Sequence, residues 1–148
     1  MNTKYYIAYG SNLNKAQMKH RCPTAMPFAT ATLENYELLF RGKRDCAVAT
    51  IEPKSGGKVP VAIWEITDMD EKSLDRYEGY PYLYRKEELE VKIDNEKIKA
   101  MVYIMNEGRP IGTPSCYYYS TIRQGYKDFF LDYNFLKDAV NKECKYDR

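Results

Sequence analysis

A β-strand pattern that stops at a Gly-Ser-Asn turn constrains the fold of this chain more than any other stretch. The apolar and aromatic run at residues 5–9 favours a strand, and Gly10-Ser11-Asn12 follows it directly. Helix-forming residues then occupy positions 14–20. The chain is therefore predicted to begin with a strand, a tight turn and a short helix.

The turn itself is a candidate ligand site. Gly10 can adopt backbone conformations that are closed to other residues, and it lets a ligand approach the main chain. The amides of Ser11, Asn12 and Leu13 would lie near the helix start, where the helix offers them no acceptor. Such a cluster of donors suits an anion, for example a carboxylate. An ordinary strand-to-helix turn has the same composition, and these residues alone favour that interpretation.

Length and composition fit one soluble globular domain spanning residues 1–148. The chain has 148 residues, of which 44% are hydrophobic and 30% are charged. Its formal net charge of +2 gives no reason to expect nucleic acid or an anionic membrane as a partner. No apolar run approaches the length of a transmembrane helix, and the N-terminal residues include no signal-peptide core. We therefore expect a cytoplasmic protein.

The histidine and cysteine content argues against several kinds of catalytic site. His20 is the single histidine, so a Ser-His-Asp triad would have to use it, and it lies in a cationic helix end where solvent exposure is expected. Cys22, Cys46, Cys116 and Cys144 are far apart and form no C-x-x-C pair, which predicts reduced thiols and neither a disulfide framework nor a zinc site. Any chemistry is expected to rest on a carboxylate, with no metal and no cofactor.

Aromatic and β-branched residues dominate the middle of the chain and predict a mostly antiparallel sheet. Turn signals at Ser55-Gly56-Gly57 and Asp94-Asn95-Glu96 predict hairpins between neighbouring strands. With the N-terminal strand, about six strands result, which is enough to close into a small β-barrel. The other predicted strands are residues 28–40, 46–51, 59–66, 83–93 and 97–105.

Flanking helices make the predicted fold class α+β. Thr67 and the acidic residues after it predict a capped helix that reaches roughly Tyr77. A second helix is predicted to begin with Thr113 as its N-cap and Pro114 in its first position. A last helix is predicted over residues 135–144.

Glu78 is a carboxylate in an unusual position. If the helix continues to Glu78, then Leu74, Tyr77 and Glu78 share one face, whereas Asp75 points elsewhere. Gly79 would end the helix there. Burial and the helix dipole would both raise the pKa of Glu78, as a general acid/base near neutral pH requires. A frayed helix end with Glu78 in water is an equally good interpretation of these residues.

Four short motifs, taken together, resemble the γ-glutamylcyclotransferase family, also called AIG2-like. Each motif is weak alone, but their order and spacing are specific, and the resemblance extends from Tyr5 to about Gly125. The motifs are Tyr9-Gly10-Ser11-Asn12-Leu13, Leu74-Asp75-x-x-Glu78-Gly79, Tyr84-Arg85 and Pro114-Ser115-x-x-Tyr118.

The resemblance implies a six-stranded β-barrel with flanking helices. It also implies an enzyme that releases a γ-glutamyl group as 5-oxoproline when the substrate's α-amine attacks its own γ-carbonyl. Under this resemblance Glu78 is the general acid/base, and the substrate-binding residues are Tyr9, Gly10, Ser11, Asn12, Leu13, Tyr84 and Tyr118. The expected partner is a small-molecule γ-glutamyl substrate, and the expected state is a monomer or weak homodimer. An intramolecular attack needs no enzyme nucleophile, which agrees with the scarcity of histidine.

Three alternatives remain. Within the family, the chain could act on a γ-glutamylamine or on a γ-glutamyl-protected metabolite, because the residues that contact the leaving amine cannot be identified. A small-ligand-binding module could use the same fold without chemistry, although the presence of Glu78 argues against it. A tyrosine-rich RNA-binding barrel is disfavoured by the near-neutral charge.

Overall fold

The computed structural model describes residues 2–146 and the side chains up to Lys142. In that range no helix is both long enough and apolar enough to cross a bilayer. The elements, in chain order, are β1 (Thr3–Ala8), a 3₁₀ turn (Ser11–Leu13), α1 (Lys15–Arg21), β2 (Met26–Arg41), β3 (Val48–Thr67), α2 (Asp68–Glu78), β4 (Tyr84–Ile93), β5 (Glu96–Met105), α3 (Cys116–Asp128) and α4 (Tyr133–Tyr146).

The strands form one five-stranded sheet in the order β2-β3-β1-β5-β4. β1 pairs antiparallel with β3 and parallel with β5, and the other neighbours are antiparallel. The predicted α+β class is confirmed. The predicted closed six-stranded barrel is wrong in two respects: the sheet has five strands, and β2 and β4 are edges that are not paired with each other in the described part of the chain.

The missing strand is explained by a bulge where a hairpin was predicted. β3 runs through Gly56 and Gly57 without reversing, so the predicted strands 46–51 and 59–66 belong to one long strand. The pairing with β2 jumps from Glu34↔Lys58 to Tyr36↔Pro53, which leaves residues 54–57 opposite Asn35. Gly56 has a φ of 77°, and its amide donates to Asn35 Oδ1 at 3.0 Å. The glycines therefore absorb an irregularity within the ladder.

The other predicted hairpin is confirmed. Ile93 pairs with Glu96, so Asp94 and Asn95 alone form the turn between β4 and β5. Both turn residues have positive φ angles, 50° and 68°, as a type I′ turn requires. This turn fixes the register of β5, which carries a tyrosine into the cavity described below.

The helix boundaries follow local capping. Thr67 and Asp70 form a reciprocal capping box at the start of α2, and Gly79 ends the helix in the left-handed conformation, with a φ of 64°. The predicted start of α3 at Thr113 is wrong, because the Ser115 hydroxyl caps the helix by accepting from the Tyr118 amide. The Thr113 carbonyl instead accepts from the Ala47 amide, which keeps this segment beside the sheet. α4 begins two residues earlier than predicted, at Tyr133.

Burial concentrates around β1, the central strand. Ile7 and Ala8 at its end are fully buried, and so are Leu13 in the turn and Ile122 on α3. α3 packs on the 3₁₀ turn, which holds the end of β1 between sheet and helix. The strand end and the turn are therefore among the best-packed parts of the molecule, and this rigidity suits a binding site.

Candidate active site

A small cavity lies where the end of β1, the end of α2 and the start of α3 meet. It encloses about 280 Å³ of space, part of which is open to solvent. Five of its ten lining residues are tyrosines, and one carboxylate faces it. The lining residues are Tyr6, Tyr9, Gly10, Ser11, Asn12, Ala49, Glu78, Tyr84, Tyr103 and Tyr118.

Seven of the eight predicted site residues line this cavity, and Leu13 is the exception. The Leu13 side chain is fully buried beneath α3, close to Gly125. Its amide is also occupied, because it donates to the Gly10 carbonyl at 3.0 Å. Leu13 therefore supports the turn from behind, and its placement offers nothing directly to a ligand.

The predicted donor cluster is smaller than the sequence suggested. Within the described residues, no acceptor is found for the amides of Ser11 and Asn12, which follow the end of β1. The next amides are used, since Leu13 and Asn14 close the 3₁₀ turn. Two main-chain donors therefore remain for a bound anion where three were predicted.

Gly10 has a spatial role and no left-handed conformation. Its φ angle of −127° lies outside the left-handed region, and its ψ angle of −129° belongs to neither a strand nor a helix. A β-carbon at this position would lie 3.2 Å from the Ala49 β-carbon and 3.6 Å from the Tyr118 hydroxyl oxygen. The contact with Ala49 would be tight, so a side chain at this position would press on the cavity wall.

Glu78 occupies the position that helix spacing predicted. It is the last residue of α2, and Leu74, one turn earlier, is fully buried in the core. Burial raises the pKa of Glu78 to about 7, while the Arg21 guanidinium acts in the opposite direction. Asn12 Nδ2 donates to its Oε1 at a distance of 3.4 Å. The protein thus holds a carboxyl group that exchanges protons near neutral pH.

Two cavity tyrosines donate hydrogen bonds from their hydroxyl groups to main-chain carbonyls. Tyr9 donates to the Tyr103 carbonyl at 2.6 Å, and Tyr84 donates to the Ala49 carbonyl at 2.5 Å. These bonds tie the end of β1 to β5 and the start of β4 to β3. The two side chains therefore shape the cavity but have no proton left to give a ligand.

Two other tyrosines accept through their hydroxyl oxygens. Tyr6 accepts from Asn12 Nδ2 at 2.8 Å, and Tyr118 accepts from the Ala49 amide at 3.0 Å. Burial raises the pKa of both phenols above the ordinary value, so they stay protonated near neutral pH. Each hydroxyl therefore retains a proton that it can donate.

Sequence reasoning missed three lining residues, Tyr6, Ala49 and Tyr103. Tyr103 is far from β1 in the chain, and it reaches the cavity because β1 pairs parallel with β5, with Tyr6 opposite Met101. Ala49 lies near the start of β3, where it pairs with Phe40 of β2. The sequence carries no local signal for such long-range neighbours.

The thiols and the histidine lie outside this arrangement. Cys22 is buried and has its pKa raised to about 12 by burial, while Cys46 and Cys116 are exposed free thiols. His20 is exposed on α1, as predicted. The side chain of Cys144 lies outside the described residues. Among the described side chains, no group of three or more His, Cys, Asp or Glu is placed to hold a metal ion.

Substitutions in the turn test whether the main-chain amides of Ser11 and Asn12 bind the ligand. We expect Gly10→Val to weaken binding of a cavity ligand much more than Ser11→Ala, because the valine branches enter the space beside Ala49 and Tyr118. Ser11→Ala keeps the main-chain amides and removes only a hydroxyl that bonds Tyr77. Calorimetric titration of both variants with a γ-glutamyl compound measures the difference, with circular dichroism as the folding control. Loss of binding in Ser11→Ala alone would assign the role to the side chain.

Comparisons with known proteins agree with this geometry. Residues 6–122 match the family described as gamma-glutamyl cyclotransferase, AIG2-like. The chain is 31% identical to a gamma-glutamylcyclotransferase of Homo sapiens, in a match that covers 83% of this chain and 70% of the human protein. It is 33% identical to a gamma-glutamylcyclotransferase of Bos taurus, but that match covers 50% of this chain and only 43% of the bovine protein.

A solved structure gives the same relationship in three dimensions. The structure, titled gamma-glutamyl cyclotransferase, superimposes with a TM-score of 0.83 at 26% sequence identity. The superposition covers 93% of this chain and 86% of the other. The sheet and the helices therefore belong to a shared fold.

Proposed function

The chain belongs to the gamma-glutamyl cyclotransferase, AIG2-like family, and we propose that it releases 5-oxoproline from a γ-glutamyl compound. In this reaction the substrate's α-amine attacks its own γ-carbonyl carbon. A new C–N bond closes a five-membered lactam, and the bond between the γ-carbon and the leaving amine breaks. The observation that carries the proposal is the Glu78 carboxyl group, with its pKa near 7, facing a cavity that opens to solvent beside the turn at Gly10.

Glu78 can perform both proton transfers of this reaction. The substrate's α-ammonium must lose a proton before its nitrogen can attack, and the Glu78 carboxylate accepts that proton. The tetrahedral intermediate then collapses only if the leaving nitrogen is protonated. The newly formed carboxylic acid supplies that proton and returns to the carboxylate. The ring nitrogen loses its second excess proton to the released amine, which leaves as an ammonium ion. A group whose pKa lies near the working pH serves in both directions.

The cavity walls supply binding and charge stabilisation. We assign the substrate's α-carboxylate to the main-chain amides of Ser11 and Asn12, which have no acceptor within the described chain. The oxyanion that forms at the γ-carbonyl is assigned to the Tyr118 hydroxyl, because it retains a proton and sits beside Gly10. Tyr6 is the second available donor, but its hydroxyl is bonded to Asn12, which also contacts Glu78.

Positioning of the γ-glutamyl group in the cavity is proposed to supply a further part of the rate enhancement. The extended γ-glutamyl side chain must fold so that its α-nitrogen approaches its own γ-carbon, and a closely walled cavity restricts it to that conformation. Tyr9 and Tyr84 suit this work, since their hydroxyls are fixed by bonds to the main chain.

A substrate panel tests the proposal. The purified protein is incubated with γ-glutamyl amino acids, γ-glutamylamines and a γ-glutamyl tripeptide, and 5-oxoproline is measured by mass spectrometry. An α-glutamyl dipeptide is the matched control, because its amide carbonyl cannot form the same ring. Product from one γ-glutamyl class identifies the leaving amine. Binding without product from any member would make the protein a ligand-binding module with an enzyme's fold.

The pKa of Glu78 predicts the pH profile. The free enzyme is active only with the Glu78 carboxylate ionised, so kcat/KM should rise about tenfold per pH unit below pH 7 and level off above it. With the ordinary carboxyl pKa of 4.5, the rising part of the profile would lie at a much lower pH. Initial rates with one substrate at subsaturating concentration, between about pH 5 and 9, measure the profile. A limb centred near the ordinary value would show that Glu78 is not the titrating base.

A further inference from the structure

Arg21, the last residue of α1, connects this helix to the turn that contains Asn12 and to the end of α2, and it does not reach the cavity. One guanidinium nitrogen donates to Asn12 Oδ1, and another donates to Gln17 Oε1 at 3.0 Å. Its guanidinium carbon lies 3.4 Å from the centre of the Tyr77 ring. Arg21 is not among the residues that line the cavity. In the sequence it belongs to a Lys-His-Arg run that resembles an ordinary solvated helix end.

We propose that Arg21 is a positioning residue that holds Asn12 and Tyr77 in place around the Glu78 carboxylate. The proposal rests on the proposed function, because it assumes that Glu78 is the proton-transfer group. Arg21 itself would touch neither substrate nor reacting atoms.

The contact with Asn12 determines which way that amide faces. A guanidinium only donates, so the atom facing Arg21 must be the amide oxygen of Asn12. The amide nitrogen is then directed at the Tyr6 hydroxyl and at Glu78 Oε1. A rotated amide would present its oxygen to the carboxylate and its nitrogen to the guanidinium, which are two repulsive contacts. Arg21 thereby keeps a donor aimed at the base.

The contact with Tyr77 fixes the end of α2. Tyr77 directly precedes Glu78 and is 43% exposed, and the Arg21 guanidinium lies over one face of its ring. Its hydroxyl is 2.8 Å from the Ser11 hydroxyl, so the side chain connects the helix end to the substrate turn. A flat guanidinium on the ring restrains this connection, and a lysine ammonium cannot reproduce that planar stack together with two side-chain hydrogen bonds.

The charge of Arg21 acts on the same carboxylate. The phenols that interact electrostatically with Glu78 stay neutral near pH 7, because burial raises the pKa of each. They are Tyr6, Tyr9, Tyr84 and Tyr118. Arg21 is the charged group that lowers the pKa of Glu78 against the effect of burial. The contacts of Arg21 and its charge therefore both affect Glu78.

Three variants separate position from charge. Arg21→Gln removes the charge and the planar fork, Arg21→Lys keeps the charge alone, and Lys19→Gln removes a neighbouring exposed charge from the same helix as the matched control. For each protein the pKa of Glu78 is measured by ¹³C NMR of its labelled carboxyl group. The side-chain amide signals of Asn12 are recorded in the same samples. Melting temperature, kcat and KM complete the set.

The proposal predicts a distinct pattern. Arg21→Gln should raise the pKa of Glu78 above that of wild type, broaden the Asn12 amide signals and lower kcat, by up to about 100-fold as expected for misplaced catalytic groups. Arg21→Lys should keep the pKa near the wild-type value, yet still broaden the Asn12 signals and leave kcat low. Lys19→Gln should resemble wild type in every measurement.

Two results would overturn the proposal. If Arg21→Gln matches Lys19→Gln in Glu78 pKa, Asn12 signals and kcat, then Arg21 has no role in the site. If Arg21→Lys is fully equal to wild type, the role is one of charge and not of position. Should wild type release no 5-oxoproline from any substrate, the proposed function fails, while the Glu78 titration and the Asn12 signals still decide whether Arg21 positions these groups.

Discussion

Replacing Glu78 with glutamine should slow release of 5-oxoproline by about 10²–10⁴-fold, the usual range for losing a general acid/base. Glutamine keeps the size and much of the hydrogen-bonding shape of the side chain but cannot accept a proton. Because one group is proposed to serve both proton transfers, the loss should fall toward the upper end of that range. Binding of the γ-glutamyl compound should persist, and calorimetry at the same pH checks it. Product formation is followed by mass spectrometry over a long incubation.

The same substitution should stabilise the protein above neutral pH. Folding raises the pKa of Glu78 from its ordinary 4.5 to about 7, so the native state binds more protons than the unfolded state between these values. The free energy of unfolding therefore falls as pH rises through this window. The loss is at most about 3 kcal/mol. Glu78→Gln avoids it, so the variant should melt higher than wild type at about pH 8 and equally at about pH 4.

Asp75 supplies the control for this experiment. Its carboxylate accepts from the Tyr103 hydroxyl at 2.6 Å and pairs with Lys86 at 2.9 Å, and Asp75 is not among the residues that line the cavity. Asp75→Asn should therefore keep most of the activity. If Asp75→Asn is inactive while Glu78→Gln turns over normally, the base is Asp75 and the proposed mechanism is wrong.

The part of the site that the sequence predicted follows from short-range rules. Thr67 begins α2 through a capping box, Gly79 ends it in the left-handed conformation, and the spacing of four places Glu78 on the same side as the buried Leu74. These features depend on residues within about one helical turn of each other. The interruption after β1 at Gly10 is equally local.

The sequence could not predict what depends on distant neighbours. Gly56 and Gly57 carry the composition of a hairpin turn, but the longer pairing of β2 with β3 makes them a bulge, and this removed a predicted strand. The close approach of Gly10 to Ala49 across the cavity depends in the same way on a distant strand. Arg21 looked like a solvated charge because its partners Asn12 and Tyr77 come together only in the folded chain.

Gly125→Ala should destabilise the fold and loosen the substrate turn. An added β-carbon at position 125 would lie 2.5 Å from the Leu13 β-carbon, 2.6 Å from its carbonyl carbon and 2.8 Å from the Asn14 nitrogen. Two of these three atoms are main chain, so α3 must move away from the turn. Overpacking of this kind costs about 1–3 kcal/mol, and the better helix propensity of alanine offsets at most about 1 kcal/mol. The contact of Leu13 with α3 then weakens, and KM should rise because the amides of Ser11 and Asn12 shift with the turn.

A neighbouring substitution shows whether this effect belongs to the contact or to the helix. Gln124→Ala changes an exposed residue on the same helix, so its free energy of unfolding should stay within about 0.5 kcal/mol of wild type. Gly125→Ala should instead lower the melting temperature by several degrees, at roughly 2–4 °C per kcal/mol for a chain of this size. Differential scanning calorimetry gives both values, and substrate titration well below the melting transition gives the effect on binding. If Gly125→Ala melts and binds like Gln124→Ala, then packing of α3 does not hold the substrate turn in place. The rigidity of the turn must then come from β1 and Trp64, whose indole donates to the Asn12 carbonyl at 3.1 Å.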